Sequence, residues 1–261
     1  MLRFLSASSL VLAVSLTAPA PSAARTVSIP FSAANFSHPL DITNNYFPLI
    51  AGTTFTSKAD THGGCEVDVT AVTYGTRVID GVTTRVVHDQ VFDGDTCTTS
   101  PEALTEETLD YYAQDNGGDV WYMGEDTFIC QGSGNCTPQA GGWIGGVNGA
   151  QPGIIMLANP QSGDSYKQEF LAGVAQDQGL VTSVGVTAKM TRSDAYQSSY
   201  SNCILTKEWS VLEHGAIEFK TYCPSLGVVQ TVEHRGKITY SELTSISGTA
   251  NALKFRTARK P

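Results

Sequence analysis

Apolar and polar residues alternate one by one through most of the chain, which is the period of a half-buried strand. "CEVDVTAVTYGTRVI" (65–79) and "VTTRVVHDQVF" (82–92) flank Asp80-Gly81, the kind of pair that closes a two-residue hairpin. "CILTKEWSVL" and "AIEFKTYC" flank Glu213-His214-Gly215, and "LDYYAQD" and "DVWYMGED" flank Asn116-Gly117. Further along, "PGIIML", "GDSYKQEFLAGVA", "GLVTSVGVTAKM", "GVVQTVEH" and "KITYSELTSI" continue the strand pattern. No window has a persuasive helical period. "SPEALTEET" (100–108) opens with the Ser-Pro and early Glu of a helix N-terminus but reads equally as the start of a strand. The pattern predicts an all-β protein, an antiparallel meander of ten or so strands. A sheet of that size must protect its edges, so the expected form is a barrel or a strongly curved half-barrel.

The six cysteines sharpen this picture. Cys203 and Cys223 are equidistant from Glu213, so a hairpin folding there sets them opposite each other, as a bridge requires. The same register opposes Glu208 to Glu218 and Lys207 to Phe219. Cys65 and Cys97 centre on Gly81, in a hairpin expected to bulge near Tyr74-Gly75. Cys130 and Cys136 would close the Gly-rich loop "CQGSGNC". Three disulfides and no metal site are expected, because no C-x-x-C occurs and the histidines are scattered.

The N-terminus has the layout of a secretory signal: Arg3, the apolar run "LVLAVSL" (Leu10 to Leu16), then "PSAA" with cleavage after Ala24. The run is too short to span a bilayer, and no cysteine follows it for a lipid anchor. This divides the chain into a signal peptide (1–24), a single β domain (25–250) and a basic tail (251–261) expected to be disordered. Export also makes disulfides the expected state of the thiols.

The formal charge is −9, and acidity is concentrated: residues 80–126 hold twelve acids and one base, Arg85. Such a surface repels nucleic acid and favours neutral or cationic ligands. No P-loop, nucleophile elbow or H-E-x-x-H is present. Asp93-Gly94-Asp95 offers oxygens to Ca²⁺ but lacks EF-hand spacing, and reads as an acidic turn. His88 and Asp89 are adjacent on a strand, so they point to opposite faces and form no dyad. Asn35-Phe36-Ser37 and Asn135-Cys136-Thr137 match glycosylation acceptors.

Candidate chemistry lies on two hairpins. With a two-residue turn at Asn116-Gly117, one face carries Asp110, Tyr112, Gln114, Trp121, Met123 and Glu125. The other, more apolar, carries Leu109, Tyr111, Ala113, Val120, Tyr122 and Gly124 and is the expected core face. Asp110 and Glu125 then sit diagonally, roughly 5–8 Å apart, a separation that suits paired glycosidase carboxylates. Tyr112 and Trp121 could stack on sugar rings, with Gln114, Met123 and Glu169 as further ligand contacts. Directly opposed like charges at Glu208 and Glu218 are unfavourable. They call for Lys220 on the same face, a bound cation, or a shared proton.

Five stretches resemble a family of uncharacterised exported bacterial β-proteins: "NNYFPLIAGTTF", "LDYYAQDNGGDVWYMGEDT", "WIGGVNGAQPGIIMLANPQSGDSYKQEF", "KEWSVLEHGAIEFK" and "YCPSLGVVQTVE". The first and last are also similar to secreted proteins with a curved sheet like that of the lipoprotein carriers. The resemblance implies export and a single β domain and assigns no catalytic residue. The expectation is a secreted protein that binds a carbohydrate or an apolar small molecule in a concave face. The alternatives are a carboxylate-dependent glycoside hydrolase or lyase acting through Asp110, Glu125, Glu208 and Glu218, and a structural envelope protein.

Overall fold

Asp80 and Gly81 both adopt left-handed φ values, 47° and 80°, which lets Ile79 pair directly with Val82 across a two-residue turn. Tight turns of this kind and longer loops string the strands into one sheet. The computed structural model describes residues 25–61, 63–139 and 141–248; the expected signal peptide and basic tail lie outside the described residues. The strands are β1 (Arg25–Thr26), β2 (Thr53–Thr61), β3 (Gly64–Ile79), β4 (Val82–Gly94), β5 (Leu104–Gln114), β6 (Val120–Cys130), β7 (Cys136–Pro138) and β8 (Trp143–Ile144). They continue with β9 (Gln151–Met156), β10 (Asp164–Lys167), β11 (Glu169–Phe170), β12 (Asp177–Lys189), β13 (Ser199–Ser210), β14 (Ile217–Cys223), β15 (Gly227–Arg235) and β16 (Lys237–Gly248). The stretch read as either a helix start or a strand is one 3-10 turn at Pro101–Ala103 leading into β5.

The sheet order is β1-β10-β12-β13-β14-β15-β16-β2-β3-β4-β5-β6-β9-β11, with β7 and β8 paired to β6. The β1–β10 ladder is parallel and the others are antiparallel. This path is open and does not close into a barrel. It is nonetheless strongly curved. Tyr222 of β14 and Ile155 of β9, eight places apart in the order, line one cavity. At about 4.8 Å per strand a flat sheet would hold them roughly 38 Å apart. The two ends meet at residues 164–170, where β10 pairs with β12 and β11 pairs with β9. Gly153 permits that approach, because a Cβ there would lie 2.4 Å from the Gln168 carbonyl.

Both faces of the sheet bury apolar residues. On the outer face Tyr111, Ala113, Trp121 and Met123 pack with Ile79, Ile154 and Val181, under Val27, Ile29, Phe31 and Phe36 of the N-terminal segment. The chain then crosses to the inner face, where Ile42, Phe47 and Leu49 join Tyr112, Tyr122, Trp143, Met156 and Tyr222. Asn44 fixes the crossing. Its Nδ2 donates to the carbonyls of Gly118 and Leu157, and its Oδ1 accepts from the amides of Tyr46 and Phe47.

Three disulfides staple the sheet: Cys65–Cys97, Cys130–Cys136 and Cys203–Cys223, with Cα separations of 5.0, 4.0 and 4.2 Å. Cys65 pairs in the ladder with Gly94, so Cys97 lies beyond the strand end. The register breaks between Val72 and Thr76, where the bulge was expected. The bridges assign the protein to an oxidising compartment outside the cytoplasm, extracellular or periplasmic. No helix among the described residues is long and apolar enough to cross a membrane.

Candidate functional site

The hairpin around Asn116-Gly117 decides what faces the cavity, and its turn is longer than two residues. The Asp115 carboxylate accepts from the amides of Gly117 and Asp119, and β5 and β6 resume pairing only at Gln114–Val120. This slips the register by one residue, which sends alternate side chains to the opposite face. Tyr112 pairs with Tyr122, not with Trp121. Trp121 points outward, 2% exposed, between Phe31 and Phe36, with its indole N–H on Asp115. Met123 is fully buried on the same outer side. Gln114 is also no cavity residue: its Oε1 accepts from the amides of Thr43 and Asn44. Three expected ligand contacts are therefore structural, and Tyr122, assigned to the core face, is a cavity residue. A second shift, between Tyr111 and Tyr112, absorbs Met123 and returns Glu125 to the inner face, directly opposite Asp110 instead of diagonal to it.

The inner face holds a cavity in two parts that share Asp89, Asp110, Tyr112, Ile155 and Lys220. The smaller part, about 240 Å³, is lined by Phe47, Phe55, Tyr112 and Tyr222 among others. The larger, about 470 Å³, is lined by ten carboxyl side chains against two cationic ones, Lys220 and Arg235. Asp110, Glu125, Glu169, Glu208 and Glu218 all line it. The Tyr112 and Tyr122 rings stack at 4.9 Å, and Trp143 meets Tyr122 edge-on.

The carboxyls fall into groups of different chemistry. The Tyr122 hydroxyl lies 2.6 Å from Asp110 Oδ1 and 2.9 Å from Glu125 Oε2. A phenol has one proton to donate, so bonding both acids requires one of them to be protonated. Burial, then the charge of Asp89, pushes the Asp110 carboxyl well above the usual range. Burial pushes Glu125 up to about 7 against the opposing Tyr122 bond. The Thr70 hydroxyl stands likewise between Asp89, at 2.9 Å, and Asp68, at 3.2 Å. Burial, then the Asp89 charge, pushes the Asp68 carboxyl well above its ordinary range. Glu169, buried on β11, is raised to about 8 by burial and by Asp177 and Glu125, while accepting the Trp143 indole N–H at 2.6 Å.

Glu208 is different. It pairs with Glu218 across β13 and β14, as the cysteine spacing predicts, and Lys220 lies between them at 3.0 and 2.9 Å. Thr206 and Tyr222 each donate a hydroxyl to Glu208 at 2.8 Å. Burial opposes ionisation here, but the Lys220 ammonium and these hydroxyls outweigh it and hold the pKa below its ordinary value. Lys220 in turn is held firmly protonated by the two acids. Gln168, 4% exposed, lines the same cavity. Its amide helps keep Glu208 ionised, yet no hydrogen bond of ordinary geometry reaches Nε2.

Sequence reasoning missed Asp68, Asp89, Tyr122, Gln168 and Asp177 as cavity residues. The alternation of Asp68, Thr70 and Val72 in β3 was the available signal, but the bulge after Val72 hides its pairing with β4.

No protein-family model and no curated protein matches the chain. Two solved structures are similar to it. One is a Bacteroides fragilis protein described as exported, with a YmcC-like fold: 12% identity, 78% of this chain and 99% of that one covered, TM-score 0.41. The other is a Parabacteroides distasonis protein described as a lipoprotein: 11% identity, the same coverages, TM-score 0.39.

Proposed function

We propose that this secreted protein is a binding protein for a carbohydrate, taken into the concave face of a curved half-barrel. The observation that carries the reading is the stacked Tyr112–Tyr122 pair standing beside the directly opposed Asp110 and Glu125. Aromatic faces take the C–H faces of sugar rings, and carboxyls accept from paired hydroxyls. The larger part of the cavity, about 470 Å³, is within the range of small-molecule sites. Its acid-rich wall favours a polar ligand over the apolar one that the sequence left open, and the cavity itself argues against a purely structural envelope role. The test is titration of the mature chain with oligosaccharides, followed by intrinsic fluorescence. Saturable quenching that Tyr112→Ala weakens is expected; a full oligosaccharide panel without any response rejects the reading.

A second reading, a carboxylate-dependent glycoside hydrolase or lyase, draws on Glu125. Its pKa near 7 suits a group that gives and takes a proton at neutral pH. Incubation with polysaccharides should then release new ends, and Glu125→Gln should abolish that release. Turnover unchanged in the variant removes Glu125 from the chemistry.

A further inference from the structure

The acids of the cavity are not arranged as a plain negative surface. Two hydroxyls, of Tyr122 and Thr70, each stand within hydrogen-bond distance of two carboxyls. Each hydroxyl has one proton, so holding both acids of a pair takes a further proton on one of them. The groups around them reinforce this. Asp89, Glu125 and Glu169 face Asp110; Asp177 and Glu106 face Glu125; Asp89 and Glu66 face Asp68. Lys220 lines the same cavity but is committed to Glu208 and Glu218. A ligand cation entering here could do what the shared protons do, and would set them free.

The cavity also offers donors that a simple cation cannot use. Gln168 Nε2 is buried, leans on Glu208 in no hydrogen bond of ordinary geometry, and has two N–H donors, so at least one is left over. Lys220 has three N–H donors and two carboxylate partners, leaving one. Both call for an acceptor oxygen on the ligand, beside the ring faces of Tyr112 and Tyr122.

We infer that the ligand is a glycan carrying free amino groups, whose oxygens meet Gln168 and Lys220 and whose ammonium displaces the protons shared by Asp110–Glu125 and Asp68–Asp89. This rests on the carbohydrate reading and narrows it. The ammonium donates N–H bonds to the carboxylates, and the displaced protons leave to solvent, so binding releases protons.

The experiment compares β-1,4-linked tetramers of glucosamine, N-acetylglucosamine and glucose, which share one backbone and differ at a single ring position. Calorimetry on the mature chain at pH 6, where the amines carry their charge, is run in buffers of different ionisation enthalpy. The glucosamine tetramer should bind at least about tenfold tighter than the other two, as charge-assisted bonds replace neutral ones, and roughly one or two protons should leave per site. Gln168→Met should weaken the glucosamine tetramer and leave spermidine, a cation without acceptor oxygens, unchanged. The proton count on the unaltered protein stands whether or not that variant folds. Equal affinity for the glucose tetramer overturns the inference while the carbohydrate reading stands, as does tight binding without proton release. Failure of all three tetramers sinks both.

Discussion

Replacing Glu169 with glutamine should stabilise the protein at alkaline pH and do little at acid pH. In the folded chain the Glu169 carboxyl keeps its proton up to about pH 8, whereas its ordinary value is 4.5. Burial is the first cause, followed by the charges of Asp177 and Glu125. Between pH 4.5 and 8 the folded state therefore binds a proton that the unfolded state has lost, and stability falls as pH rises through that window. Below 4.5 both states are protonated and above 8 both are ionised, so the dependence flattens at each end. The shift is about 3.5 units (8 − 4.5); at 1.36 kcal/mol per unit its ceiling is about 5 kcal/mol. Local relaxation and water entry reduce this, and about 2–4 kcal/mol is expected. Glutamine keeps the volume and an acceptor for the Trp143 indole N–H but cannot ionise. For a domain of this size the gain is about 5–15 °C in Tm at pH 9, shrinking toward zero at pH 4.5. Thermal melts of the two proteins, disulfides intact, from pH 4 to 9 measure it. Parallel curves, with one offset at every pH, would refute the argument that Glu169 is folded in its protonated form.

Other expectations come from the same geometry. Glu242, fully buried, accepts from the amides of Thr191 and Arg192, the Thr191 hydroxyl and Gln230 Nε2; Glu242→Leu orphans these donors and should cost about 2–4 kcal/mol in urea unfolding at pH 7. Tyr122→Phe removes a hydrogen bond that favours the Glu125 carboxylate, so the Glu125 midpoint in a carboxyl NMR titration should rise above about 7; an unchanged or lower midpoint contradicts the shared-hydroxyl geometry. Replacing both Cys203 and Cys223 with serine opens a loop with a sequence separation of 20, and should lower stability by about 3 kcal/mol, read from denaturant midpoints.

Much of the sheet was legible because its determinants are local. Alternation gave the strands, Asp80-Gly81 supplied a turn whose left-handed φ values the sequence announces, and the spacing of Cys203 and Cys223 fixed the pairing of Glu208 with Glu218. That register also put Lys220 on the face where the two acids needed a cation. The signal-like N-terminus pointed to export and export to bridged thiols, and all six cysteines are bridged. The opening hairpin went the other way. Asp115 folds its carboxylate onto two amides of its own turn, and a side chain that lengthens a turn is invisible to a count of residues. One slipped residue moved Trp121 and Met123 out of the cavity and Tyr122 in, and one bulge brought Glu125 back. Alternation states which residues share a face, while the turn decides which face is wet. The cavity itself is a property of curvature. Asp89 and Asp110 sit on the neighbouring strands β4 and β5, but Lys220 is on β14, five places from β4 in the order, and it meets them because the sheet bends until its ends reach one short segment. Only that closeness, and the loss of water it brings, keeps protons on carboxyls that the isolated strands would ionise.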